Sequence, residues 1–182
     1  MSPVIDAYVL NEPGLTSKGV YYTRQSNSEL IRECRFRSAA SATLATHKRN
    51  YEANRDLIDY IENTVQADLP VVMAKYDYTN DDIGQRTSVV YTGTAFTEGH
   101  LFNWGYNDRS ELTTADRHEG TNPGSPGTQY GTDGEFDFDY DHIGNRASSQ
   151  LDGGTAETYT TNEVNQYTYT ANPSRDLGKG PI

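Results

Sequence analysis

Short apolar stretches alternate with polar residues along this chain, with the period of two that is typical of β-strands. Near the start, apolar pieces at 7–10 and 19–22 are separated by the turn signal Asn-Glu-Pro-Gly. The stretch 30–37 places charged residues between Cys34 and Phe36, as in a half-exposed strand. The pattern therefore predicts strands over the first part of the chain.

Residues 39–62 are compatible with two patterns. Positions 44, 48, 51, 55, 58 and 61 lie three or four residues apart, as on one face of an amphipathic helix, but two of these six residues are charged. The other interpretation is a β-hairpin, with a Thr-rich strand over 43–51, a turn over 52–56 and a return strand over 57–62. We prefer the hairpin because its turn matches turns elsewhere in the chain. A helix here would instead indicate a small catalytic domain.

An aromatic strand that runs into a tight turn recurs along the chain in altered copies. The clearest copies are YDYTNDDIGQR at 76–86 and FDFDYDHIGNR at 136–146, while FNWGYNDRSEL at 102–112 lacks the glycine. Weaker copies lie at 51–57 and 161–167. Equivalent points are roughly 21 to 34 residues apart, a period that is typical of repeat arrays.

The two faces of each repeat strand have different chemistry. In the copy at 136–146, aromatic residues at every second position share one face and aspartates share the other. Gly84 and Gly144 fall where a short hairpin loop requires a positive φ. The preceding Asx residues are expected to accept backbone N–H groups within the turn. These Asx residues are Asp81, Asn107 and Asp141.

The residues that define the repeat are aromatic residues, Asx residues, glycines and arginines. They are Tyr51, Tyr76, Tyr78, Asp81, Gly84, Arg86, Trp104, Tyr106, Asn107, Phe136, Phe138, Tyr140, Asp141, Gly144, Arg146, Asn165 and Tyr167. One hairpin alone is marginal in water, so the copies are expected to stack edge to edge. The sequence therefore predicts an all-β array of β-hairpin repeats in a continuous antiparallel sheet, with open edges that favour self-association.

Composition predicts a thin, aromatic core. Apolar residues make up 34% of the 182 residues, and the aromatic side chains are 14 Tyr, 5 Phe and 1 Trp. Ordinary domains are about 45–50% apolar on a similar count. The net charge of −11 argues against nucleic-acid and anionic membrane partners, which basic clusters recognise. No signal peptide or long apolar run is visible, so we expect no membrane insertion.

The residue types with catalytic or metal-binding potential favour structural roles. Cys34 is expected to be a small, half-buried filler. The carboxylates at every second position of 133–141 diverge along a straight strand, so a solvated face is favoured over a calcium site. The histidines lack metal-ligand spacing and are expected in loops or on strand surfaces; they are His47, His100, His118 and His142. Without a nucleophile elbow, P-loop or dinucleotide motif, we expect no enzyme, catalytic residue, cofactor or metal.

The sequence YDHIGNR at 140–146 resembles the units of the Rhs or YD-repeat proteins. Those units read approximately as an aromatic residue, a spacer, Tyr-Asp, two variable positions, Gly, Arg or Asn-Arg, and a return strand. The stretches at 83–87 and 162–167 resemble neighbouring units, and the resemblance covers 43–170. On either side lie N-terminal strands of an irregular or degenerate repeat at 1–42 and a disordered tail or truncated continuation at 171–182.

The resemblance implies a curved sheet, a section of the β-shell that in full-length relatives surrounds a toxic cargo domain or forms adhesive cell-surface structures. It implies a secreted or cell-surface protein whose partners are neighbouring repeats or domains of a longer chain. Full shells of this family end in an Asp-Pro-x-Gly segment with a self-cleaving aspartate. Asp176 is followed by leucine rather than proline, so that role is not carried over.

Two functional hypotheses follow. In the first, the chain is a structural module that encloses or presents other domains. In the second, its aromatic face is a carbohydrate-binding or adhesive surface on which exposed rings stack against sugars. The exposure of the rings separates the two hypotheses, and the rings concerned are Tyr76, Tyr78, Trp104, Phe136 and Phe138.

Overall fold

A computed structural model describes residues 5–10, 18–38, 42–131 and 134–171. These residues form thirteen strands: β1 (Ile5–Leu10), β2 (Lys18–Arg24), β3 (Ile31–Arg37), β4 (Thr43–Tyr51), β5 (Ile58–Gln66), β6 (Pro70–Asn80), β7 (Arg86–Thr92), β8 (His100–Tyr106), β9 (Leu112–Glu119), β10 (Glu135–Tyr140), β11 (Arg146–Leu151), β12 (Glu157–Thr161) and β13 (Tyr167–Ala171). Across those ranges the chain has no helix that is long and apolar enough to span a bilayer. Most of the tail predicted at 171–182 lies outside the described residues.

The strands divide into two compact units, residues 1–100 and 101–182. In the first unit, β1 to β7 pair in chain order, and every pair is antiparallel. In the second unit, β9 to β13 pair in chain order in the same way. The predicted all-β array of antiparallel hairpins is therefore confirmed, whereas the curvature expected of a shell stays a prediction.

The hairpin interpretation of 43–62 is confirmed, and the helical one is wrong. β4 ends at Tyr51, which pairs with Ile58 at the start of β5. Between them, the backbone N–H of Glu52 donates to the carbonyl of Leu57 at 2.9 Å. The impure helical stripe arises because both strands are half-buried along nearly their whole length.

The core of the first unit is thin. Val89 and Val90 are 2% and 8% exposed, although neighbouring residues of a strand point to opposite faces. β7 is therefore covered on both sides. Elsewhere in this unit Cys34 is 8% exposed, so it is buried rather than half-buried as expected.

Aromatic rings supply the remaining cover over β6 and β7. Tyr76 and Tyr91 face each other across the two strands, with ring centroids 5.3 Å apart. Phe96 packs edge-on against both rings at 5.8 and 5.5 Å. His100 stacks on Tyr91 at 4.5 Å and is only 4% exposed. The expectation that every histidine lies at the surface is therefore wrong for His100, whose flat imidazole packs as another ring.

Gly93 follows β7 at a point where the chain folds back onto β6. The N–H groups of Thr94 and Ala95 donate to the carbonyls of Val72 and Met73 at 3.1 and 2.7 Å. At Gly93 φ is 109°, and an added Cβ would lie 2.7 Å from the carbonyl oxygen of Met73. Only glycine fits here without a shift of the backbone.

Gly93→Ala is expected to destabilise the protein more than Gly120→Ala, by about 1–3 kcal/mol. Both glycines have a positive φ, 109° and 95°, so both variants pay a similar conformational cost. Only at Gly93 does the new methyl group meet a backbone atom closer than 3.0 Å. Urea unfolding of the two variants measures the difference, and equal losses would contradict the close packing of β6 on the 93–95 segment.

Candidate functional site

The Asx and glycine residues of the predicted repeat lie in five-residue hairpin turns, which we call the Asx turns. The Asx turns span 81–85, 107–111, 141–145 and 162–166. In each, the first residue is Asp or Asn, and its N–H donates to the carbonyl of the fifth residue at 2.8–3.1 Å. Its side-chain Oδ1 accepts the N–H groups of the third and fifth residues at 2.8–3.1 Å. The predicted role of the Asx residues within the turn is confirmed.

The fourth residue of every Asx turn has a positive φ. The values are 90° at Gly84, 65° at Ser110, 93° at Gly144 and 60° at Asn165. The N–H of this residue donates to the carbonyl of the first residue at 2.9–3.2 Å, which closes a β-turn inside the longer loop. The prediction for both glycines is confirmed. Ser110 holds the same conformation in the copy that lacks glycine.

Asp141 shows how firmly an Asx oxygen is held. Its carboxylate accepts the backbone N–H groups of Ile143 and Asn145 at 3.0 and 2.9 Å, and the side-chain amide of Asn145 at 2.9 Å. The side-chain bond from Asn145 is the largest cause that lowers the pKa of Asp141 below 3.8, and the two backbone bonds add to it. Because the pKa is lowered on folding, the ionised carboxylate stabilises this turn above about pH 4 and loses that effect on further acidification.

An arginine from one hairpin reaches the Asx turn of the next. In the first unit, Nη1 of Arg55 donates to the carbonyl oxygen of Asp81 at 2.5 Å, while its Nε pairs with Glu52 at 2.5 Å. Glu52 also accepts the side-chain amide of Asn80 at 3.0 Å. The bond from Asn80 is the largest cause that lowers the pKa of Glu52, and the bond from Arg55 follows.

The second unit repeats this arrangement. Nη2 of Arg109 donates to the carbonyl oxygen of Asp141 at 2.7 Å and pairs with Glu111 at 2.8 Å. We call the contacts of Arg55 and Arg109 the arginine clasps. In both units the clasped carbonyl also accepts an N–H within its own turn, so the arginine uses the second lone pair of that oxygen.

Tyrosine hydroxyls form a second kind of contact between hairpins. Tyr51, the last residue of β4, donates to the carbonyl of Ile31 at 3.0 Å. Tyr140, the last residue of β10, donates to the carbonyl of Leu112 at 2.8 Å. Ile31 and Leu112 each begin the return strand of the preceding hairpin. Equivalent tyrosines therefore attach one hairpin to the next at equivalent backbone positions.

The arginine that follows an Asx turn stacks on an aromatic ring of its own hairpin. The guanidinium of Arg86 lies 3.9 Å from the ring centroid of Tyr78, and that of Arg146 lies 4.7 Å from Phe138. Burial is the main cause that raises the pKa of Tyr78, and the charge of Arg86 opposes it. Such contacts contribute about 0.5–1 kcal/mol at exposed sites.

The remaining aromatic residues of the repeat lie along the strands. Phe102 and Trp104 have nearly parallel rings with centroids 5.8 Å apart, and Phe136 and Phe138 are arranged similarly at 6.2 Å. All four rings, together with Tyr106, are half-buried. The aspartates between the rings of β10 are exposed, which confirms the predicted division of the two faces. Tyr76 lies apart from the turns, in the ring cluster over β6 and β7.

β10, β11 and β12 line an open groove of about 260 Å³, which we call the aromatic groove. Its side chains include Phe136, Phe138, Arg146, Ser149, Glu157 and Tyr159. β11 and β12 pair only at Ser148 and Ser149, so their ladder is short. Near the Asx turn, the hydroxyl of Tyr167 instead accepts the backbone N–H of Arg146 at 2.8 Å. The pattern of strands alone did not predict this groove, because it depends on where one ladder stops.

The polar side chains of the aromatic groove are partly bonded to each other. The hydroxyl of Tyr159 lies 3.0 Å from Oγ of Ser149 and donates to Glu157 at 3.1 Å. The guanidinium of Arg146 lies over Phe138 and 5.9 Å from the ring centroid of Tyr159. Among the described residues, that guanidinium has ring contacts but neither a hydrogen bond nor an ion pair.

Cys34, His47 and Asn63 lie directly opposite one another on β3, β4 and β5, an arrangement that sequence reasoning missed. Cysteine, histidine and asparagine together are the residue types of a nucleophilic hydrolase. Here Nδ1 of His47 bonds to Asn63 at 2.8 Å, and Nε2 accepts Nε of Arg49 at 3.1 Å. Burial is the largest cause that raises the pKa of Cys34 above 9.0. With both ring nitrogens engaged, His47 has no lone pair with which to activate a buried thiol.

The acidic side chains of the described residues do not form a metal-binding cluster. In the part of the chain that the structure describes, no group of three or more His, Cys, Asp or Glu residues is arranged to hold a metal ion. Asp116 pairs directly with Glu135 across β9 and β10. Burial is the largest cause that raises the pKa of Asp116, which the charges of Asp137 and Glu135 raise further and that of His118 lowers. Asp133 lies outside the described residues.

Arg109→Ala is expected to lower the free energy of unfolding by about 0.5–1.5 kcal/mol, because the clasped carbonyl of Asp141 loses one donor. Arg109→Lys should restore only part of the loss, since a single ammonium cannot reproduce the planar fork. Arg32→Ala, at an exposed position of β3, is the control and should change little. Urea unfolding measures all three variants, and equal effects of the two alanine substitutions would exclude a stabilising clasp.

A scan against models of protein families gives no match for this chain. A search of curated proteins also returns no matching protein. The likeness of the Asx-turn sequences to Rhs or YD repeats therefore stays an interpretation of the residues.

Proposed function

We propose that this chain is a non-catalytic structural module, a section of wall-forming β-sheet that serves encapsulation or surface display, as the likeness to Rhs or YD repeats suggests. The pair of arginine clasps is the observation that carries this proposal. In each unit, an arginine of one turn donates to the carbonyl of the first residue of the next Asx turn. These two arginine hydrogen bonds therefore join one hairpin to the next.

The thin core supports the same role. A two-stranded hairpin with one half-buried face is unstable alone, because its buried area does not offset the entropy of ordering the chain. Neighbouring hairpins are joined by ladder hydrogen bonds, and at particular hairpins also by the tyrosine contacts of Tyr51 and Tyr140 and by the clasps of Arg55 and Arg109. Stability of this kind grows with the number of repeats and imposes no limit on length. Such an arrangement is more typical of an extended structural sheet than of a protein built around a single binding pocket.

The proposed partners are neighbouring repeats or domains of a longer chain, together with further copies that pair at open sheet edges. The net charge of −11 disfavours nucleic acid as a partner. A secreted or cell-surface location is proposed from the resemblance to the repeat family. The engaged nitrogens of His47 support a non-catalytic role, because the one hydrolase-like set of side chains described above has no free base.

Removal of the last hairpin tests this proposal. A variant that ends at residue 156 lacks β12 and β13. We expect it to keep the circular dichroism spectrum of a β-sheet, while the urea concentration at its unfolding midpoint falls. A variant that ends at residue 131, without β10 to β13, should fall further. In a protein with one shared core, removal of one hairpin would unfold the whole chain, and that result would contradict a modular wall.

The second proposed function is carbohydrate binding by the aromatic face. The specific observation that favours it is that Phe102, Trp104, Phe136 and Phe138 are only half-buried and form two nearly parallel pairs. Exposed aromatic rings supply an apolar surface for the C–H groups of sugars.

Trp104 is the single tryptophan, so its fluorescence reports on one ring pair alone. If this pair binds sugars, a soluble polysaccharide should quench or shift the emission of Trp104 in a saturable way. Phe102→Ala should weaken the response, whereas Phe36→Ala, at an exposed ring of the other unit, is the control. If neutral polysaccharides leave the emission unchanged and a glycan array is blank, carbohydrate binding by this ring pair is contradicted and only the structural role remains.

A further inference from the structure

We infer that the aromatic groove is a binding site for one neutral pyranose ring of an oligosaccharide. This inference rests on the second proposed function, to which it adds a place, a set of residues and a class of ligand. It is carried by the apolar rings, the unbonded guanidinium and the nearby carboxylate that meet in one open groove.

The size of the groove suits a single sugar ring. Its volume of about 260 Å³ is just below the roughly 300–1,000 Å³ of pockets that hold drug-sized ligands. The groove is open rather than enclosed, so a chain of sugars can continue beyond the bound ring. Phe136, Phe138 and Leu151 supply apolar contact for the C–H groups of that ring.

The polar groups of the groove match hydroxyl groups. The guanidinium of Arg146 offers N–H donors that no described residue accepts, and a pair of neighbouring hydroxyl oxygens fits its planar fork. Glu157 receives one hydrogen bond from Tyr159 and keeps further lone pairs for hydroxyl donors. A sugar hydroxyl both donates and accepts, so the hydroxyl groups of one ring match both residues.

The balance of charge selects a neutral ligand. Arg146 and Glu157 bring one positive and one negative charge into the groove, and the chain as a whole carries −11. A carboxylate or sulfate on the ligand would gain from Arg146 but meet repulsion from Glu157 and from the overall field. An ammonium group would gain from Glu157 and from the overall field but would meet repulsion from Arg146 inside the groove. Hydroxyl groups avoid both.

The experiment uses the full chain and named neutral probes: cellohexaose, maltohexaose, laminarihexaose and chitohexaose. Hexagalacturonate serves as the acidic comparison. Saturation-transfer NMR detects contact with each sugar, and titration calorimetry gives Kd. We expect saturable binding of at least one neutral probe and weaker or no binding of the acidic one.

Variants locate the site. Phe138→Ala and Glu157→Gln should each weaken binding by about tenfold, the effect of losing one well-placed contact or charged hydrogen-bond partner. Trp104→Ala tests whether the other ring pair contributes to binding, and Phe36→Ala, at an exposed ring of the first unit, is the control that should keep the affinity of the native chain. Circular dichroism melting verifies that every variant is folded, and Glu157→Gln keeps the shape of the groove if Phe138→Ala does not fold.

The outcomes are distinct. Neutral binding that Phe138→Ala and Glu157→Gln weaken supports the inference. Neutral binding that only Trp104→Ala weakens overturns the groove while carbohydrate binding stands. Preference for hexagalacturonate, or a gain in its affinity with Glu157→Gln, overturns the neutral ligand. No binding of any probe overturns both the groove and the second proposed function.

Discussion

The side-chain oxygen at the first position of each Asx turn is the contact on which the rest of this structure depends. It accepts two backbone N–H groups that no strand ladder satisfies, and so it stabilises the sharp reversal of the chain at a point exposed to water. The reversal then forces a positive φ at the fourth residue. Together these two constraints set the register of each hairpin, and at Asp81 and Asp141 they place the first carbonyl where a neighbouring arginine reaches it.

Most stability beyond the hairpin comes from neighbours rather than from a deep core. Only a few apolar side chains are buried among the described residues, with Val89, Val90 and Leu101 the most enclosed aliphatic ones. Half-buried rings, guanidinium groups stacked on them and tyrosine hydroxyls bonded to the next backbone take the place of a second layer. A fold of this kind tolerates variation on its faces but not at the turns, because the turns carry the contacts that repeat.

Because few side chains are buried, some aromatic rings remain accessible to solvent. A fold with a thick core would have covered Phe136 and Phe138, whereas here they border an open groove beside Arg146 and Glu157. The short ladder between β11 and β12 opens the groove, and Tyr167 stabilises the backbone of Arg146 where that ladder stops. The proposed structural role and the proposed binding role are therefore compatible in one sheet, since the first depends on turns and the second on a face.

Local chemistry in the sequence determined the hairpin at 43–62, the Asx oxygens and the positive φ of Gly84 and Gly144, because turn geometry depends on a few adjacent residues. Ser110 was harder to anticipate, since a serine adopts this conformation only when the surrounding bonds impose it. The clasps, the burial of His100, the opposition of Cys34 and His47 and the aromatic groove required the tertiary structure. Each joins residues from different strands or hairpins, and such contacts depend on register, on bulges and on where a ladder ends, none of which a local pattern specifies.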